Sequence, residues 1–206
     1  MSRTQKNLQV SNKFYILTNG KETEKNYFDL IKSKKSIYDV KIEFHNFDPF
    51  KLVEYGTKLK EANQVWCVFD IDNTLSEGSL TPAIKLANEN NISIAFSNIA
   101  FEVWLLSHFN KVEKSMDNDK LITEMNKTIK QELKLDKKYE KADKELLKKY
   151  FMPRLADAVV NSKIVHQKFI SKHKKSYCGN INYRVWEWNS CTNVYELIEA
   201  LKLTKY

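Results

Sequence analysis

Two aspartates, Asp70 and Asp72, close the most continuously apolar run of the chain, residues 65–69 (VWCVF). In extended backbone, residues two apart point to the same side, so the two carboxylates converge. A pair of hard oxygen anions at a strand end suits Mg²⁺ or Mn²⁺, ions that keep some of their waters and bind phosphate oxygens as well. An Asp-x-Asp by itself is weak evidence, because Asp is common in turns. Its place directly after VWCVF is better evidence, since a turn needs one Asp and two adjacent acids call for a countercharge. The other strand-end candidate is the turn Thr18-Asn19-Gly20. Gly20 supplies a backbone conformation or a close approach that larger residues resist. Asn19 is either a turn former or a donor and weak ligand to a phosphate or metal. As a carboxamide it cannot act as a general acid or base. Glu22 and Glu24 follow in the first turn of the next helix, where acids suit the helix dipole whatever the function.

Glu102 sits among Ile99, Ala100, Phe101, Val103, Trp104, Leu105 and Leu106. A lone carboxylate in a segment apolar nearly all round needs a partner, a cap role or a metal. Ser97 or Asn98 already offers an N-cap, so a place near the site is favoured over a structural ion pair. His108, at the far end of that segment, is read first as a buried histidine with its hydrogen bonds made, and second as a catalytic group. His45, His166 and His173 show no mutual spacing for zinc. Cys67, Cys178 and Cys191 fit neither a disulfide framework nor a zinc site, and are expected as reduced thiols. No GxxxxGK[ST], GxSxG or HExxH is present, which argues against a P-loop ATPase, an α/β-hydrolase nucleophile elbow and a zincin.

The net charge is +8, and residues 158–186 contain no acid. That stretch carries six cations, Lys163, Lys168, Lys172, Lys174, Lys175 and Arg184, so the rest of the chain nets +2. Such asymmetry attracts polyanions. Tyr177, Tyr183, Trp186 and Trp188 interleave flat side chains able to stack on bases. The expected partner is RNA or DNA. The plainer alternative is a solvated basic helix face with core aromatics.

The elements that must hold these residues are readable. Residues 13–18 (KFYILT) form a buried strand ended by Asn19-Gly20. A helix over 22–34 follows, then a half-buried strand over 41–47 and a helix from Asp48-Pro49 to about Ala62, with Asp as N-cap and Pro first. Residues 65–69 are the central strand, 82–90 a helix and 92–96 a fourth strand. Residues 98–109 are expected as a helix, 111–150 as solvated helical surface, 155–172 as a long helix after Pro153, and 193–203 as a final helix capped by Thr192. Strands alternating with helices imply parallel crossovers. The expectation is an α/β fold, a mostly parallel sheet flanked by helices. Residues 1–110 form its core and 111–206 a helical extension packed on it, as one continuous domain. With 206 residues, 42% hydrophobic and 29% charged, the chain can bury a real core. No apolar run approaches the roughly 18 residues of a membrane span and residues 1–13 lack a signal segment, so a cytoplasmic location without membrane attachment is expected.

Taken together, these blocks resemble the RloB-like family, a branch of the Toprim superfamily. Residues 19–28 (NGKETEKNYF) look like that family's EGxxTExxYF opening, and 65–72 like its strand closed by DxD. Residues 97–109 (SNIAFEVWLLSHF) are similar to its SNPxFExWLxxHF segment, Tyr139 with Lys141 to its YxK element, and 189–197 (NSCTNVYEL) to its NPSTxVxxL end. The resemblance implies a Toprim-like, Rossmann-like sheet, a Mg²⁺-type site on Asp70 and Asp72, and nucleic-acid cleavage. Lys141 and Arg184 would lie near the phosphates. It further implies antiphage or abortive-infection biology beside an ABC/AAA-type ATPase partner, and leaves homo-oligomerisation open. The sequence departs from the pattern at Asn19, where the family has a glutamate, and mildly at Ile99, where it favours proline. Three accounts of Asn19 stand: an engineered inactivating change, a naturally inactive member, or compensation by Glu22, Glu24 or Glu102. Compensation ranks last, because Glu22 is three residues on and should point elsewhere. The expected function is a divalent-metal-dependent nuclease, inactive or impaired through Asn19. The alternative is a non-catalytic nucleic-acid-binding or sensor subunit of an ATPase.

Overall fold

The computed structural model describes residues 12–32, 34, 36–72, 77–172, 177–182 and 184–203. Strand β1 (Lys13–Thr18), helix α1 (Thr23–Lys32), β2 (Asp39–Phe44), α2 (Pro49–Gly56), β3 (Gln64–Asp70), α3 (Glu77–Glu89) and β4 (Ser93–Asn98) alternate along the first half. The second half carries α4 (Glu102–Leu106), α5 (Asn118–Gln131), α6 (Lys144–Leu146), α7 (Leu155–Lys172), β5 (Tyr177–Cys178), β6 (Ile181–Asn182), β7 (Cys191–Thr192) and α8 (Val194–Ala200). Five strands make one sheet in the order β2-β1-β3-β4-β7. The first four are parallel, and β7 joins antiparallel through Ser97↔Thr192 and Asn98↔Cys191. The fold is thus α/β, a mostly parallel sheet flanked by helices.

Alternation along the strands divides the core in two. Phe14, Ile16, Trp66 and Val68 point to a layer built from α1, α4, α5 and α8. Tyr15, Leu17, Val65, Cys67 and Phe69 point to the opposite layer, built from α2, α3 and the segment around Trp188. Asp70 shares the parity of Trp66 and Val68, so it faces the α1 and α4 side. The chain leaves β1 towards β2 in one direction and reaches β3 in the other. The reversal lies between β1 and β3, and in parallel sheets such a point opens a crevice at the carboxyl ends of the strands. Asn19, the residue after β1, and Asp70, the last of β3, flank it.

Several boundaries differ from expectation. The second strand runs 39–44 rather than 41–47, and the third helix begins at Glu77 with Pro82 inside it. Residues 98–109 are not one helix: Asn98 ends β4 and α4 starts at Glu102, with turns after Leu106. Ser97 and Asn98 are therefore not caps. The Ser97 hydroxyl pairs with the Thr192 hydroxyl at 3.0 Å, and the Asn98 amide donates to the Val185 and Trp186 carbonyls. Residues 111–150 are not all surface. Leu121, Met125, Thr128 and Ile129 of α5 recur at helical spacing and are buried. Thr192 lies in β7, and Asn193 stands in the cap position of α8. The Asn193 side chain accepts from Phe96 N (2.7 Å) and donates to Ile94 O (2.9 Å), while the Asn180 side chain accepts from Ile94 N and donates to Ile94 O. Two amide side chains thus satisfy the β4 edge where β7 is too short to do so. Gly179, at φ +60°, turns the β5–β6 hairpin that delivers Asn180. Among the described residues no helix is long and apolar enough to cross a membrane, and the three cysteines are unpaired.

Candidate metal centre

A cleft of about 490 Å³ opens at the carboxyl ends of β1 and β3, lined in part by Asn19, Gly20, Glu24, Asp70, Asp72 and Lys141. Its floor is set by strand register. Thr18 pairs with Val68 and Asp70 with Ser97, and the Asn19 N–H reaches the Val68 carbonyl at 3.4 Å. The Gly20 N–H is held by the Thr18 hydroxyl at 3.0 Å. A side chain at position 20 would overlap the Glu24 carboxylate, which folds directly over that glycine. Here glycine is required by close approach rather than by an unusual φ.

Glu24 and Asp70 line the cleft, and each feels the charge of Glu102. Glu24 is 8% exposed and Glu102 2%, although both open helices that point their first turns at the strand ends. Burial raises the Glu24 carboxyl above the ordinary carboxylate range; the Glu102 charge adds to this and Lys141 opposes it. Asp70 is raised further, first by burial and then by Glu24, Glu102 and Asp72, with Lys141 again opposing. Several carboxylates and one ammonium leave the cluster short of positive charge. It must retain protons or take up a cation.

Lys141 and Tyr139 reach the site on the loop that follows α5. The Tyr139 hydroxyl donates to Glu102 Oε1 at 3.0 Å and Lys141 Nζ lies 3.6 Å from the same oxygen. The loop is pinned from both sides. Tyr139 N donates to the Asn126 side chain (2.7 Å), and the Thr23 hydroxyl donates to Lys141 O (2.9 Å). Burial, then the Glu102 charge, holds the Tyr139 phenol well above its usual range, so it serves as a donor throughout the physiological range.

The donor set is all oxygen and anionic, which fits Mg²⁺ or Mn²⁺ and not a softer ion. Among the described residues no three His, Cys, Asp or Glu side chains form a ready-made cage. Asp70 and Asp72 would supply the carboxylates, with Glu24 lining the same cleft.

Other candidates fall elsewhere. His108 is buried with Tyr27, Trp104 and Phe151 around it. Its Nδ1 lies 3.1 Å from the Trp104 and Leu105 carbonyls, which can only accept, so Nδ1 carries the proton and Nε2 accepts from the Tyr27 hydroxyl. Burial lowers its pKa to about 4. It is a core group, not a cleft group. The acid-free stretch of sequence is not acid-free in space. Lys163 pairs with Glu199 at 2.8 Å, Lys168 with Glu113 at 2.5 Å and Arg184 with Glu187 at 2.6 Å. These are exposed pairs, worth little individually, and their cations stay open to solvent. Lys172 is exposed at the end of α7. Lys174, Lys175, His173, Tyr183 and Asn73 lie outside the described residues, as does the Tyr177 side chain. Of the described basic residues of this stretch, Lys163, Lys168, Lys172 and Arg184, none lines the cleft. Glu24 is what sequence reasoning undervalued, and Gly20 was its one signal: a glycine four residues ahead of an acid leaves room for that acid to fold back.

Comparison with curated proteins and with solved structures finds no match. The family model described as RloB-like protein matches residues 14–201, from the first strand to the last helix, and so takes in every residue of the cleft. The chain belongs to the RloB-like protein family.

Proposed function

We propose that this chain is a divalent-metal-dependent nuclease that cleaves phosphodiester bonds of RNA or DNA by Toprim-type chemistry. The observation that carries the reading is the concentration of acid at the switch point: half-buried Asp70 with buried Glu24 and Glu102, Lys141 being the cation beside them, at a cleft open to a polyanion. Asp70 and Asp72 would hold Mg²⁺ or Mn²⁺, which supplies charge stabilisation to the phosphate and a more acidic water. Glu24 and Glu102 keep the floor anionic, and Glu24, with its raised pKa, is the titratable group available to move a proton at its carboxylate oxygen. Lys141, held by Glu102, presents an ammonium at the rim for a non-bridging phosphate oxygen. Asn19 lines the same cleft and can donate or accept but not titrate. Contrary to the expectation that Glu22 points elsewhere, Glu22 lines the same cleft as Glu24, which supports compensation as an account of Asn19. Antiphage defence and an ATPase partner rest on the family membership and on nothing in the cleft.

The test is incubation of labelled RNA and DNA with Mg²⁺ or Mn²⁺, comparing the wild type, Asn19→Glu and Asp70→Ala. Cleavage by the wild type or by Asn19→Glu, abolished in Asp70→Ala, supports the proposal. Identical products from all three, or none from any, refute it. Asn19 also favours a second reading, a binding subunit that recognises nucleic acid without cutting. It predicts salt-sensitive binding with no cleavage even in Asn19→Glu.

A further inference from the structure

Large apolar side chains that stay in water are few here: among the described residues Ile37, Phe47, Phe50, Val160 and Trp186. Two of the five, Phe47 (36% exposed) and Phe50 (40%), bracket Asp48-Pro49, and both of those intervening residues line the acidic cleft. The segment hangs from the same strand end as Asn19, because the His45 N–H donates to the Thr18 carbonyl at 2.9 Å. Asp48 then caps α2, its side chain accepting from Lys51 N. Phe47 is therefore one residue from the wall of the site, on backbone fixed at both ends.

Its ring is also fixed. Phe47 stacks on His45 with centroids 5.1 Å apart and planes 12° from parallel, and Tyr55 packs beside both rings, 4.1 Å from His45 and 6.2 Å from Phe47. Glu43 ties this group down by accepting from the Tyr55 hydroxyl at 3.0 Å and lying 3.1 Å from His45 Nε2. One face of Phe47 is thus committed to an aromatic stack and the ring remains a third exposed. Core packing does not call for this arrangement, since neither Phe47 nor Phe50 belongs to either buried cluster.

We infer that Phe47, backed by His45 and Tyr55, is a stacking platform for an unpaired base, so that the cleft takes single-stranded nucleic acid. The inference rests on the nuclease reading above and names its substrate class. In a duplex the base faces are already stacked on one another, whereas in a single strand they are available to an aromatic ring. A base seated on Phe47 sets its strand beside Asp48 and Pro49, which line the same cleft as Asp70, Asp72 and Lys141. Phe50, on the first turn of α2, offers further apolar surface to the next nucleotide.

The experiment measures affinity for a short single-stranded oligonucleotide carrying 2-aminopurine, and for its duplex, in Ca²⁺. Wild type, Phe47→Ala, Phe47→Leu and Phe47→Trp are compared, with Mn²⁺ binding to each followed by EPR. The expected result is preference for the single strand and 2-aminopurine quenching on binding. Phe47→Ala and Phe47→Leu should weaken binding roughly 5- to 150-fold, the range for stacking one base on an aromatic ring, and Phe47→Trp should retain it. Equal affinity for Phe47→Ala and wild type, full retention by Phe47→Leu, or equal binding of duplex overturns the inference. So does a change in sedimentation with unchanged oligonucleotide affinity, which would mark this face as a protein contact. Absence of Mn²⁺ binding in the wild type, with the stacking result intact, overturns the metal reading and leaves the platform standing.

Discussion

Replacing Asp70 by Asn should stabilise the metal-free protein near neutral pH and remove its response to divalent cations. In the folded chain the Asp70 carboxyl is raised by burial and by Glu24 and Glu102, so it holds a proton that the unfolded chain has already released. An acid raised on folding makes stability fall as pH climbs from its unfolded pKa to its folded one, because the folded state binds more protons there. Each tenfold displacement of that equilibrium is about 1.4 kcal/mol. For a chain of this size that is roughly 3–6 °C in Tm. Asn carries no charge in either state, so the difference in Tm between Asp70→Asn and wild type should be smallest near pH 4 and grow towards neutrality. A divalent cation takes the proton's place. At a hundred times its Kd it adds about 2.7 kcal/mol, or roughly 5–11 °C, to the wild type and almost nothing to the variant. Scanning calorimetry from pH 4 to 8, with and without Mg²⁺, reads all of this. Equal responses to Mg²⁺ in the two proteins, or a difference that does not grow with pH, would refute the reasoning.

Gly20→Ala should push the Glu24 carboxylate out of the site while leaving the fold intact, because the clash is with the end of a flexible side chain. Divalent affinity by calorimetric titration should fall roughly ten- to a hundredfold, as when a supporting group is lost; unchanged affinity would count against a role for Glu24. Tyr139→Phe removes the donor to buried Glu102 and should cost about 1.5–3 kcal/mol in denaturant unfolding, with a cost near zero contradicting that bond. His108 and His166 are lowered to about 4, chiefly by burial. Their sign is opposite to that of Asp70: stability is full above the unfolded value near 6.5 and is lost as pH falls towards 4, by about 3 kcal/mol for each. Histidine ring protons followed by NMR should show two imidazoles that resist protonation until near pH 4.

What the sequence disclosed followed the strength of its periodic signals. KFYILT was expected at 13–18 and is β1, and VWCVF extends by one residue at each end to make β3. The long helix at Leu155–Lys172 was legible from Pro153 and its apolar spacing. β7 was not, because two residues carry no period; it exists only because β4 offers an edge and Asn180 and Asn193 complete it. Ser97 and Asn98 were read as caps since their types suit caps, and the tertiary pairing with Thr192 and the segment 185–186 overrode that preference. Glu102 stood out as a lone acid among apolar neighbours. Glu24 did not, because an acid in a first helical turn has an adequate local explanation. In the basic stretch, Glu113 and Glu199, distant in sequence, meet Lys168 and Lys163 in space, which no local reading of charge discloses.

The central claim is that a divalent cation is held at Asp70. Titration of Mn²⁺ followed by EPR tests it most directly, since bound and free ion are distinguished without reference to any substrate. The account predicts a site in the wild type that Mg²⁺ displaces and that Asp70→Asn loses. A wild type that binds no Mn²⁺, or an Asp70→Asn variant that binds it equally well, would contradict the account.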